Sequence, residues 1–179
     1  MILTGPEIVQ AQRAGDISIE PFANSEANPN SYNFRLAQDL ICLSPVPPGA
    51  VSRRDAIIPP SGYLLMPGNL YLRATRERIA SRRYAITLLG RSSIGRLGIF
   101  LNATADLGHV GSSSHWTLEI SVVQPVRVFA NMRIGQVAFW CSEAGSVYVG
   151  RYLHDTKPEI SKDGALLFGV KETAHDLVG

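Results

Sequence analysis

Short apolar or alternating runs, each cut off within a few positions by Pro, Gly or polar residues, dominate this chain and limit what it can fold into. They fall at Asp39–Leu43, Tyr63–Met66, Leu70–Ala74, Ile86–Leu89, Ile99–Leu101, Trp116–Val123, Val126–Phe129 and Val137–Trp140. Each is strand-sized, and many short strands with turn signals between them predict an all-β sandwich or barrel. One helix is expected, at the start. Thr4-Gly5-Pro6-Glu7 has the capping-box form, Ile8, Val9 and Ala11 supply an apolar side, and Gly15 is the stop. Pro45-Val46-Pro47-Pro48-Gly49 cannot lie in a central strand, because proline removes ladder donors, so it reads as a loop or an edge. Asn131–Gln136 reads as a turn feeding a last core strand. With 179 residues, no internal repeat and no composition break, the whole chain, 1–179, is expected to be one domain. The stretch 142–179 mixes Gly, Lys, Asp and Glu with few apolar clusters and is expected to be a tail or lid.

Composition excludes some function classes. Hydrophobic residues are 45% and charged residues 18%, an ordinary globular balance rather than a disordered one. A net charge of +2 gives no reason to expect a nucleic-acid partner. The cations are nearly all arginine, and the only lysines, Lys157, Lys162 and Lys171, stand near the C-terminus. A planar guanidinium fork suits phosphate oxygens and structural ion pairs alike. Cys42 and Cys141 are too few for a disulfide framework, and no Cys-x-x-Cys or His-x-x-x-His spacing offers a metal site. No leader and no run long enough to span a membrane is evident, so a soluble, cytoplasmic protein with reduced thiols and no membrane partner is expected.

The most unusual local sequence is Gly90-Arg91-Ser92-Ser93-Ile94-Gly95-Arg96-Leu97-Gly98. Small residues let backbone N–H groups approach an anion, hydroxyls donate, and two guanidinium groups bind phosphate bidentately. The segment suits a phosphate cradle, and it suits equally a polar helix start with structural arginines. It lacks the Gly-Lys-Ser/Thr of a Walker loop. A second feature is the scarcity of carboxylates: between Arg78 and Ser142 only Asp106 and Glu119 are acidic. Strand alternation across Trp116–Val122 puts Trp116, Leu118, Ile120 and Val122 on one face and Glu119 on the other, with Thr117 and Ser121. Glu119 is then either a solvent-facing strand carboxylate or a lone general base among small polar groups.

Taken in order, these segments resemble the dCTP deaminase family of the dCTP deaminase and dUTPase superfamily along nearly the whole chain. The resemblance runs through Met1-Ile2-Leu3-Thr4, Ile19-Glu20-Pro21-Phe22, Ser31-Tyr32-Asn33-Phe34-Arg35-Leu36, Met66-Pro67-Gly68 and Ala74-Thr75-Arg76-Glu77. It is most specific at Gly90–Gly98, which matches the family's Gly-Arg-Ser-Ser-x-x-Arg-x-Gly at every fixed position. Thr117-Leu118-Glu119, Arg133-Ile134-Gly135-Gln136 and Phe139 complete it. The resemblance implies a distorted β-barrel or jelly roll assembled as a homotrimer, with active sites between subunits and a pyrimidine deoxynucleoside triphosphate as substrate. It implies that Arg91, Ser92 and Ser93 meet the nucleotide from one chain and that Arg96 reaches the phosphates of a neighbouring site. Glu119, with Ser92 and Arg96 as its catalytic partners, would activate a water for attack at C4 of cytosine. Mg²⁺ would arrive bound to the triphosphate, and the His-x-Glu and Pro-Cys-x-x-Cys ligands of the zinc deaminases are absent, so no zinc is expected.

The resemblance loosens where the base and sugar should be held. Thr104-Ala105 is kept, but Asp106-Leu107-Gly108-His109 follows, so that His109 falls where the family places a sugar-contacting aspartate and Leu107 where monofunctional deaminases place an arginine. Thr104, Ala105, Asp106, His109 and Gln136 are therefore the candidate base and sugar contacts. Ser112-Ser113-Ser114-His115 replaces a glycine-containing turn, and Asn33 and Ala37 replace the usual Asp and Gly. In the tail, Tyr148 and Arg151-Tyr152 resemble residues that close over the phosphates, while Asp155 stands in place of a glutamine. Three readings follow: a deaminase, alone or combined with diphosphatase activity; an enzyme of the same fold on another nucleotide, such as dUTP, a ribonucleotide or a modified pyrimidine; and a trimer that binds nucleotide without turnover.

Overall fold

The computed structural model describes residues 1–46, 50–101 and 105–142. The expected opening helix is present as α1 (Gly5–Ala14). The Thr4 N–H and hydroxyl both donate to the Glu7 carboxylate, at 2.7 and 2.8 Å, and Gly15 closes the helix at φ 78°. After it come β1 (Ile17–Glu20), a 3-10 turn (Asn24–Glu26), β2 (Ala27–Asn28), β3 (Ser31–Val46) and β4 (Ala50–Ile57). Then follow β5 (Tyr63–Leu65), β6 (Leu70–Thr75), β7 (Arg78–Ser81), β8 (Tyr84–Gly90) and the single turn α2 (Ser92–Gly95). The series ends with β9 (Ile99–Leu101), β10 (Leu107–Gly108), β11 (Ser113–Ser114), β12 (Thr117–Val122), β13 (Val126–Val128) and β14 (Arg133–Cys141). The protein is mostly β, as the run pattern predicts.

The main sheet follows the path β10-β8-β14-β3-β6-β12-β9, with β2 and β4 both paired to β3. Strand β3 is long enough to serve two neighbourhoods. Its first part pairs with β14, its second with β6 and β4, and the register shifts between Leu36 and Leu40 where it turns from one to the other. The sheet curls so that β8 lies against β9, giving an incomplete barrel. One core fills it, with Tyr32, Phe34, Leu36, Ile86, Leu118, Ile120, Val137 and Phe139 each at most 1% exposed. Pro45 falls in the part of β3 that pairs only with β4, which is the edge placement its missing N–H requires. Two small sheets, β1-β7-β11 and β13-β5, cover the flanks.

Two buried polar features brace the region where β3 bends. Glu26, 1% exposed, accepts from Arg133 Nε and Nη2 at 2.7 and 2.9 Å and is also paired with Arg35. Glu77, fully buried, accepts the Arg35 backbone N–H at 2.7 Å. Arg73 is likewise fully buried and donates Nη1 to the Asp39 carbonyl beside the register shift. Burial lowers the Arg73 pKa to about 10, and its Nε and Nη2 have no partner among the described residues.

Candidate active site

The Gly90–Gly98 segment folds as one helical turn. The Arg91 carbonyl accepts from the Ile94 and Gly95 N–H groups, both at 2.9 Å, and the Ser92 carbonyl accepts from Arg96 at 3.1 Å. Ile94, 6% exposed, plugs the turn into the core. Ser92, Ser93 and Arg96 are thereby left exposed and Arg91 half-buried, while their backbones build the turn. Gly98 ends the turn at φ 81° with Val123 so close that an added Cβ would lie 2.7 Å from its Cγ2. The Val123 N–H donates to the Gly98 carbonyl at 3.0 Å and Gln124 donates to that of Leu97 at 3.2 Å. The loop is thus pinned at one end of β8 and β12.

Glu119 is the third of the six residues of β12. Leu118, Ile120 and Val122 are buried, while Thr117 and Glu119 are half-buried and Ser121 exposed, so the alternation read from the sequence holds from Thr117 onward. Trp116, half-buried, also packs against the core. It precedes the strand and turns its indole N–H to the Ile79 carbonyl at 3.0 Å. Glu119 stands opposite Leu72, and Thr117 opposite Ala74, side chains that are 5% and 4% exposed. Its carboxylate therefore rises from an apolar floor beside small polar neighbours, and it makes no hydrogen bond or ion pair among the described residues. From Val123, beside the loop, back to Glu119 is four residues, or about 13 Å of extended strand.

The candidate base and sugar contacts are dispersed differently. Ala105, Asp106 and His109 are exposed, around β10. The Asp106 carbonyl accepts from Leu88 at 2.9 Å, and β10 pairs Leu107 with Thr87 and Gly108 with Ile86. Gln136, half-buried, accepts from the Ser31 hydroxyl at 2.7 Å, so its amide oxygen ties β14 to β3. Thr104, Tyr148 and Arg151 lie outside the described residues. Sequence reasoning missed the roles of Glu26 and Trp116, whose partners are remote in the chain and leave no local pattern. Among the described residues no group of three or more His, Cys, Asp or Glu side chains is arranged to hold a metal ion. No helix among them is long and apolar enough to cross a membrane. A shallow cavity of about 270 Å³ lined by Gln38, Ile58, Pro59, Pro60, Phe129, Ala130 and Asn131 contains none of the candidate residues.

Comparison with known proteins places this geometry in context. The family model described as dCTP deaminase-like matches residues 2–142. A Leptospira biflexa protein named "dCTP deaminase, dUMP-forming" is 46% identical over 144 residues, covering 78% of this chain and 81% of the relative. A Cytophaga hutchinsonii protein of the same name is 43% identical over 162 residues, covering 87% and 92%. Among solved structures, the 2′-deoxycytidine 5′-triphosphate deaminase from Agrobacterium tumefaciens superposes with a TM-score of 0.64 at 22% identity, covering 80% of this chain. The chain spans about half of that protein, 49%, and the likeness there is one of fold. With a model match from the second residue to the end of β14 and relatives above 40% identity on both counts of coverage, this chain belongs to the dCTP deaminase-like family.

Proposed function

We propose that this protein deaminates dCTP hydrolytically, with Glu119 as the general base. The observation that carries the reading is the pairing of two features in a chain of this family. One is an anchored turn with Arg91, Ser92, Ser93 and Arg96 on its surface; the other is a single half-buried carboxylate on a polar strand face. The triphosphate, with Mg²⁺ bound to its own oxygens, would sit against Arg91 and the hydroxyls of one turn, with Arg96 reaching it from a neighbouring subunit. Glu119 would take a proton from water as the oxygen adds to C4 of the cytosine, and would deliver it to N3. A second proton then leaves with the amino group as ammonia, and the C4 carbonyl of uracil forms. Ser92 and the arginines would supply the donors that keep Glu119 ionised as water is displaced.

The family resemblance implies a homotrimer with sites between subunits, and the proposed site joins Glu119 of one subunit to the turn of the next. His109 and Leu107, in place of an acidic and a basic residue, bear on which sugar and base are accepted. A second reading is favoured by the names of the relatives, which are dUMP-forming: the same site would also cleave the nucleotide between the α- and β-phosphates, releasing pyrophosphate. A soluble cytoplasmic setting fits this substrate class.

The test is ammonia release from Mg·dCTP, with products identified by mass. Glu119→Gln is expected to lower kcat by about 10²–10⁴ while nucleotide still binds. Release of dUMP and pyrophosphate with the ammonia selects the bifunctional reading, and dUTP selects the simple deaminase. Absence of ammonia from dCTP with intact, assembled protein would overturn the proposal.

A further inference from the structure

Trp116 connects the segment carrying the divergent residues to the strand carrying Glu119. Its backbone N–H donates to Thr75 Oγ1 at 3.0 Å and its carbonyl accepts from the Thr75 N–H at 2.8 Å. The indole N–H is fixed on the Ile79 carbonyl at 3.0 Å. Held at both ends, the ring lies directly over Gly108, where an added Cβ would sit 2.3 Å from Cη2 and 3.0 Å from two further ring carbons. No residue but glycine fits beneath it. A slip of β10 by one position in either direction would drive Leu107 or His109 into the ring, so the register with β8 is pinned.

That register decides which side chains meet a ligand. Alternation along the extended segment puts Leu107 and His109 on one side and Asp106 on the other. Leu107, 58% exposed, stands opposite Thr87 on the side of β8 that continues through Leu89, 39% exposed, to the phosphate turn. We propose that Trp116 is a positioning residue for nucleotide selection. By seating its ring on Gly108 it fixes the register of residues 105–109, and so presents Leu107 and His109, rather than Asp106, to the nucleotide. This rests on the deaminase reading for the identity of the ligand, and on geometry alone for the lock.

The test exchanges volume across the contact. Three variants are compared with wild type: Gly108→Ile, Trp116→Leu and the two together. The readouts are KM and kcat for ammonia release, together with hydrogen exchange at the Leu88 amide, which is bonded to the Asp106 carbonyl. Gly108→Ile is expected to raise KM by about tenfold or more and to speed Leu88 exchange. The double variant is expected to return KM to within about threefold of wild type and to restore protection, with kcat little changed throughout because Glu119 keeps its pairing with Leu72. A simple loss of folding would not be rescued in this paired way. A double variant no better than Gly108→Ile, or a Trp116→Leu protein with wild-type KM and wild-type Leu88 exchange, overturns the proposal. Should Gly108→Ile not fold, the Trp116→Leu arm decides. Where wild type turns over no cytosine nucleotide, the deaminase reading falls by itself, and Leu88 exchange across the series still decides the lock.

Discussion

Glu26 shows how far a single side chain is committed by its surroundings. Burial works against its charge, but the hydrogen bonds and charges of Arg133 and Arg35 outweigh it and hold the carboxyl below its ordinary 4.5. A carboxylate whose folded pKa is depressed contributes stability that is present in full above the unfolded value and is lost as pH falls through the folded one. Glu77, on the other side of Arg35, has the opposite sign. Burial raises its pKa, so the folded state holds that proton longer and its contribution declines as pH rises through the acid range. Replacing Glu26 isolates the first effect. Glu26→Gln is expected to cost about 1–3 kcal/mol at pH 7, since both arginines keep water contact while three hydrogen bonds lose their charged acceptor. The gap to wild type in urea unfolding should narrow as pH is taken from 5 down towards 3. A gap that widens on acidification would mean that Glu26 is not the ionised partner of Arg133.

At the scale of elements, what the sequence made legible follows how local each determinant is. The capping box of α1 lies within four residues, and its hydrogen bonds form as expected. The face of β12 is settled by alternation, and Trp116, just before the strand, keeps to the core side while its indole N–H donates to the Ile79 carbonyl on β7. The Gly90–Gly98 motif was legible as an anion-binding candidate and equally as a helix start; it is a helical turn, with the polar side chains left outward. The length of β3, its division between two sets of partners and the burial of Glu26 were not legible, since each depends on contacts from β6 and β14 that no local pattern encodes. Gly135 belongs to the same class. Beside the irregularity in β14 it pairs with Gly90, where the Gly90–Gly98 turn begins, and a Cβ there would lie 2.2 Å from Phe34 Cζ and 2.7 Å from the Leu89 carbonyl oxygen. Gly135→Ala therefore cannot be absorbed by one rotamer change. It is expected to destabilise by about 1–3 kcal/mol, read as a lowered urea midpoint at unchanged m-value. An unaffected midpoint would mean that β14 and Phe34 have more room than this geometry allows.

For the whole molecule, the decisive quantity is where Glu119 finds its cationic partner. The turn is tied to Val123, and Glu119 lies four residues back along the same strand, about 13 Å of extended backbone, so what has to be decided is whether a turn meets the Glu119 of its own chain or of another. In the proposed homotrimer every heterologous interface would repeat the same pairing of one chain's carboxylate with the next chain's turn. Such a site can be rebuilt from two inactive proteins. Glu119→Gln chains would lack the proposed base, and Arg91→Ala chains a guanidinium on the turn; each proposed homotrimer would carry one defect at every site. Mixed by co-expression or joint refolding in equal amounts, they assemble trimers in which about one quarter of the interfaces join an intact Glu119 to an intact Arg91. Ammonia release should accordingly recover to about a quarter of the wild-type rate per site, well above either parent. If both groups acted from one chain, every chain in the mixture would carry a lesion in its own site and mixing would restore nothing.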